Sequence, residues 1–197
     1  LNSLFPDTSY GNESGGDPAC IPDLTYEKFL DFHRTYYHPC NSYIYLYGDM
    51  DAVAKLDWLD RMYLSHYDSI DLDSSIKLQR SFKKQGEVVK RYSIASSESE
   101  KDHTYLSYSA VVGTTLNPQL ALAFDVLDYA LLSAPGAPLK QALLDAKICK
   151  DVIGGFDSST YQPVFTVTAK NANASQKQKF TDTIEATLQK LVKEGMN

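Results

Sequence analysis

Residues 14–51 read SGGDPACIPDLTYEKFLDFHRTYYHPCNSYIYLYGDMD: a glycine loop, a helix, a proline stop, a strand and a helix start in succession. Ser14, Gly15, Gly16, Asp17 and Pro18 form a turn, because glycine supplies φ > 0 and the residue before a proline is pushed out of the helical region. That turn is expected to act by shape, with Asp17 bonding nearby amides. From Thr25, an N-cap residue, Tyr26, Phe29, Leu30, His33, Tyr36 and Tyr37 recur at helical spacing until Pro39 ends the run. Residues 42–47 then place Ile44 and Leu46 on one face and Tyr43, Tyr45 and Tyr47 on the other, the period of a strand. Gly48 breaks it, and Asp49 or Asp51 caps a helix with the stripe Val53, Leu56, Leu59, Tyr63 and Tyr67.

Downstream, residues 68–85 are polar and without periodicity, as in a linker, and a domain boundary is expected there. Two strands are expected over residues 86–95 and 104–112, paired antiparallel across a charged turn. Asn117-Pro118 opens a helix with Leu120, Phe124, Leu127 and Leu131 inward, and residues 133–136 stop it. A short helix from Pro138, strands over 149–156 and 164–169, and a helix over 175–194 ended by Gly195 follow. Gly154-Gly155 inside a strand reads as a bulge or a close backbone approach rather than a phosphate loop. Strands grouped between helices favour an α+β two-layer sandwich.

Composition narrows the function classes. A chain of 197 residues with 43% apolar content can bury a core. Its most apolar run, residues 120–132, is too short to span a membrane and carries Asp125 and Asp128. The net charge of −6 argues against nucleic acid. The basic cluster Lys83, Lys84, Lys90 and Arg91 reads as a solvated strand edge. Cys20, Cys40 and Cys149 make neither a disulfide scaffold nor a C-x-x-C site, which points to a reducing, cytoplasmic setting, with an organelle as the alternative. Asn12-Glu13-Ser14 and Asn173-Ala174-Ser175 match the glycosylation pattern, a motif short enough to arise by chance. The opening at Leu1, in mid-loop, reads as a cut from a longer chain.

Phe5-Pro6-Asp7, Tyr10-Gly11, the loop from Ser14 to Pro18, Phe32-His33, Tyr36-Tyr37-His38-Pro39 and Tyr47-Gly48-Asp49 come in an order and spacing that resembles the presequence-protease branch of the pitrilysin/insulinase superfamily of zinc metallopeptidases. The resemblance implies a pitrilysin-like α/β sandwich. Residues 1–67 would be the tail of the catalytic-type first domain, 68–85 a linker, and 86–197 an incomplete noncatalytic second domain. It also implies a parent enzyme that encloses unfolded peptides in a chamber and cleaves them with zinc-activated water.

The chemistry of that family requires H-x-x-E-H on a helix, two histidines holding zinc and the glutamate serving as base. Neither that string nor H-E-x-x-H occurs here. The histidines are His33, His38, His66 and His103, and the first two, five residues apart, are turned about 500° around a helix and so lie on different faces. By resemblance, the zinc ligands lie upstream of Leu1; Glu13, in a glycine loop, is rejected as one. His33 and His38 read as packing and helix-end residues, and Ser14 and Cys149 lack a positioned base. No catalytic or metal-binding residue is therefore expected in this piece, and no zinc of its own. Eight of the 14 tyrosines fall between Tyr26 and Tyr67, so Tyr43, Tyr45 and Tyr47 are candidates for a peptide-holding wall, against a half-buried sheet surface.

The reading is an internal, noncatalytic segment of a zinc metalloendopeptidase, supplying scaffold and chamber wall. The alternative is a noncatalytic interaction or assembly module of the same superfamily. A free-standing small-molecule enzyme would need a polar pocket that the sequence does not reveal. Expected partners are the rest of the parent chain and unfolded peptides, with no nucleic acid or membrane. A second copy of the chain is a further candidate partner, pairing through the exposed strand at residues 42–47.

Overall fold

The computed structural model describes residues 1–196 and divides the chain into two compact units. One is Asn12–Lys77; the other joins Leu1–Gly11 to the chain from Leu78 onward. The lead-in, which the sequence groups with the first segment, thus packs with the second.

In the unit of residues 12–77, helix α1 spans Tyr26–Tyr36 and α2 spans Ala52–Met62. Both starts follow from their caps: Thr25 Oγ1 accepts from Lys28 N at 3.3 Å, and Asp51 Oδ1 from Ala54 N at 3.0 Å. Pro39 opens a single 3₁₀ turn, Pro39–Asn41, after α1. His38 is the one residue of this unit that is buried; its Nδ1 accepts from Cys40 N at 3.2 Å and its ring meets Tyr67 edge-on at 5.2 Å. Tyr26, Phe29, Val53 and Leu56, from the stripes that the periodicity marks as inward, are exposed. Residues 42–47 lie in no ladder, contrary to the expected strand. A strand exists only with a hydrogen-bonding neighbour, and among the described residues this stretch has none.

The second unit holds the core. Its sheet, among the described residues, has the order β1-β3-β2, with β1 Thr104–Val111, β2 Asp151–Asp157 and β3 Val164–Ala172, all antiparallel. The expected pairing of residues 86–95 with β1 is absent, and those residues form no ladder. β1 pairs with β3, Ser107 opposite Thr168 and Ser109 opposite Thr166. Residues 86–95 are tied by side chains instead: Tyr92 packs against Tyr105 and donates to the His103 carbonyl, and Glu87 pairs with Lys177.

Helix α3, Pro118–Asp128, starts at Asn117, whose Oδ1 accepts from Leu120 N at 3.0 Å, and runs into a π-helical turn, Tyr129–Ser133. Gly136 at φ +73° then turns the chain into α4, Pro138–Asp145. The stretch Pro118–Asp145 is long and apolar enough by composition to cross a membrane, with mean hydropathy 1.3 over its best window. The break at residues 134–137 divides it into two helices, each packed against β2. Helix α5, Lys177–Glu194, ends where Gly195 adopts φ +84° and returns its N–H to Leu191 O.

One face of the sheet meets these helices. Leu131, Leu132, Leu139, Leu143, Phe180 and Ile184 pack with Val152, Val167 and Ala169 in a single apolar cluster. The close approach at the paired glycines is real and carries no bulge: Gly154 sits at φ +142°, where a Cβ would lie 2.1 Å from Thr166 O. A Cβ at Gly155 would lie 2.6 Å from Asp128 Oδ2, which accepts from Phe156 N.

Candidate functional site

Strand alternation places Leu106 and Tyr108 of β1 with Val167 and Ala169 of β3 on the helix-covered face. Ser107 and Ser109, Thr166 and Thr168 therefore point to the other face. There they form a short hydroxyl ladder: Ser107 Oγ lies 2.8 Å from Thr168 Oγ1, and Ser109 Oγ 2.9 Å from Thr166 Oγ1. A hydroxyl donates once and accepts twice, so each pair retains hydrogen-bonding capacity for a chain laid across it. None of these four residues stands out in the sequence as a candidate site. Their signal was present as serine and threonine at every second position of two strands that turn out to be neighbours.

At the β2 edge, Lys140 Nζ reaches Asp151 Oδ1 at 2.9 Å and Val152 O at 3.2 Å. The lysine bond, with the Val152 amide, holds the Asp151 carboxyl below the usual carboxylate range. A cleft of about 490 Å³ opens beside it, lined by residues of the π-helical turn, α4 and Gly154. Burial pushes the Cys149 thiol up, the opposite of what a thiolate nucleophile needs.

Tyr43, Tyr45 and Tyr47 are 104%, 85% and 87% exposed, against 48% and 42% for Ile44 and Leu46, so the two-residue alternation survives in a segment without a ladder. In the glycine loop, Gly16 takes φ +84° while Gly15 has no positive φ, and a Cβ on Gly15 would meet open space. Asp17 Oδ1 accepts from Ala19 N at 2.9 Å, and Asp17 O accepts from both Cys20 N and Ile21 N, so the turn these bonds close runs through Pro18 to Ile21. Ser14 is exposed there.

The histidines do not fit a zinc centre. His33 stacks on Tyr37 at 4.8 Å, His38 is held at Cys40 N, and His103 Nδ1 lies 3.0 Å from Lys101 O. Among the described residues no three His, Cys, Asp or Glu side chains gather where a metal ion could sit.

The described residues thus form an α+β unit with one helix-covered and one hydroxyl-bearing sheet face and no convergent ligand set. The chain belongs to the peptidase M16 inactive domain family, which matches residues 23–197. It is 45% identical over 195 residues to Protein HypA of Clostridium perfringens, covering 99% of this chain and 20% of that protein. It is 34% identical to Presequence protease 1, chloroplastic/mitochondrial, of Arabidopsis thaliana, covering 99% of this chain and 18% of that one. With the mitochondrial presequence protease of Xenopus laevis the identity is 28%, over 99% of this chain and 19% of the relative. The chain spans about a fifth of the length of the curated relatives it matches. It is a noncatalytic M16 domain segment, related to presequence proteases.

Proposed function

We propose that this chain is an internal segment of a zinc-dependent metalloendopeptidase that degrades unfolded peptides in an enclosed chamber, for which it supplies scaffold and wall. The observation that supports the reading is the hydroxyl ladder of Ser107, Ser109, Thr166 and Thr168 on the sheet face opposite the helices. Such a surface offers hydrogen bonds to any peptide backbone without selecting a side chain. Tyr43, Tyr45 and Tyr47 are, in the other unit, separate wall candidates, their rings being exposed and amphipathic. In this reading residues 1–67 are the tail of the catalytic-type domain, 68–85 a linker and 86–197 part of the noncatalytic domain. The zinc ligands and the base belong to the parent chain outside these residues, and the parent works in a reducing compartment, the cytoplasm or an organelle.

The test uses the full-length parent enzyme and an unfolded peptide. Replacing Tyr43, Tyr45 and Tyr47 together by Ala is expected to raise KM about five- to tenfold at near-constant kcat, the mark of lost uniform binding. An unchanged KM removes them from the wall. The uncovered apolar stripes of α1 and α2 also favour a second reading, an assembly module of the same superfamily. The parent's sequence before Leu1 decides: H-x-x-E-H there supports the peptidase, and its absence the module.

A further inference from the structure

The motifs Phe5-Pro6-Asp7 and Tyr10-Gly11 serve neither the hydroxyl ladder nor a metal, yet they are firmly built into the second unit. Phe5 is 0% exposed and its ring tilts against Tyr10 at 5.7 Å. A Cβ on Gly11 would lie 2.4 Å from the Phe5 carbonyl oxygen, so the lead-in closes on itself only with glycine there. Tyr10 Oη then accepts from Tyr161 N at 3.0 Å.

Gln79, in the middle of the polar stretch that reads as a linker, is only 7% exposed. Its side chain grips Asp7 twice: Oε1 accepts from Asp7 N at 2.9 Å, and Nε2 donates to Asp7 Oδ2 at 2.7 Å. Its backbone is gripped by Gln162, whose Oε1 accepts from Gln79 N at 2.6 Å and whose Nε2 donates to Gln79 O at 3.3 Å. Two amide side chains thus do what a pair of ladder rungs would do, linking three segments 72 and 83 residues apart in sequence. Burying so many polar groups is favourable only when all are paired, which makes the arrangement specific.

We propose that Gln79 is a two-sided clasp fastening the outgoing pass of chain, residues 5–11, and the returning pass, residues 78–80, side by side onto the loop of residues 160–163. Residues 12–77 therefore leave and re-enter this unit at one fixed point, and loss of order within them does not release either pass. The motifs near the start of the chain serve this closure, and Gln79 and Gln162 are its positioning residues.

Hydrogen exchange of the 197-residue chain, read at single amides, tests this. The amides of Asp7, Gln79 and Tyr161 are expected to exchange at least about tenfold slower than exposed loop amides. Gln79→Leu is expected to raise exchange at Asp7 about tenfold or more and leave the β3 amides unchanged. The exchanged pair D7N/Q79E, which keeps an amide facing a carboxylate, returns Asp7 to near its original rate. If Gln79→Leu does not fold, Gln162→Leu reads the other side, freeing the Gln79 amide alone. Unprotected Asp7 and Gln79 amides in the unaltered chain overturn the proposal, as does a Gln79→Leu chain whose Asp7 exchange is unchanged.

Discussion

At the scale of single residues, two positions carry unusual demands. Gly154 adopts a backbone that L side chains avoid, and the carbonyl of Thr166 occupies the place of its Cβ. Gly154→Ala is expected to cost about 2–4 kcal/mol, since strain and a backbone clash add. Denaturant unfolding checks it, and a loss under about 0.5 kcal/mol, the level of an ordinary surface change, contradicts it. Asp102, at φ +60°, exchanges hydrogen bonds with Asn173: its N–H donates to Asn173 Oδ1 at 3.0 Å, and its Oδ1 accepts from Asn173 Nδ2 at 2.8 Å. That amide first, and the Lys150 ammonium beside it, hold the Asp102 carboxyl below its usual range. A depressed folded-state value means that the contribution is complete above the ordinary carboxylate pKa of about 3.9 and is lost as pH falls below it. Asp102→Asn keeps a residue that tolerates this backbone. Its urea midpoint is expected to fall below wild type near neutral pH and to converge with it as pH drops toward about 3. A gap that persists unchanged in acid contradicts this.

At the scale of elements, the local code was readable and the pairing was not. Thr25 and Asn117 each cap the helix that the sequence assigns to them, and of the two candidates Asp49 and Asp51 it is Asp51 that caps α2, because a cap involves residues three apart. Residues 42–47 and 86–95 alternate as strands do, yet neither forms a ladder here, because alternation specifies a face and says nothing of a neighbour. The same limit hid the candidate site. Ser107 and Thr168 were visible separately, but only the β1–β3 register brings their hydroxyls to 2.8 Å. Burial sharpens the contrast between the units. Leu143→Ala, in the core between α4 and the sheet, is expected to cost about 3–4 kcal/mol. Val53→Ala, on the uncovered stripe of α2, should change stability by less than about 0.5 kcal/mol. Equal losses for both variants in denaturant unfolding would show that α2 is covered in solution.

At the scale of the whole molecule, one unit has a closed core and the other presents apolar helix faces and an extended tyrosine segment without backbone partners. Residues 42–47 contain neither proline nor lysine to blunt strand pairing, so association of the isolated chain is expected. Light scattering at low micromolar concentration should report a dimer or larger species, and Tyr45→Lys should shift it toward monomer. A strictly monomeric mass for the unaltered chain contradicts this.

The scaffold role meets its most direct test in the isolated 197-residue chain, washed with chelator, returned to buffer containing zinc, and then assayed for bound metal by elemental analysis and for cleavage of unfolded peptides. A catalytic zinc site needs three converging protein ligands and an open position. The expected result is zinc well below one equivalent and no chelator-sensitive cleavage; one tightly bound zinc per chain together with cleavage that chelator abolishes would contradict it.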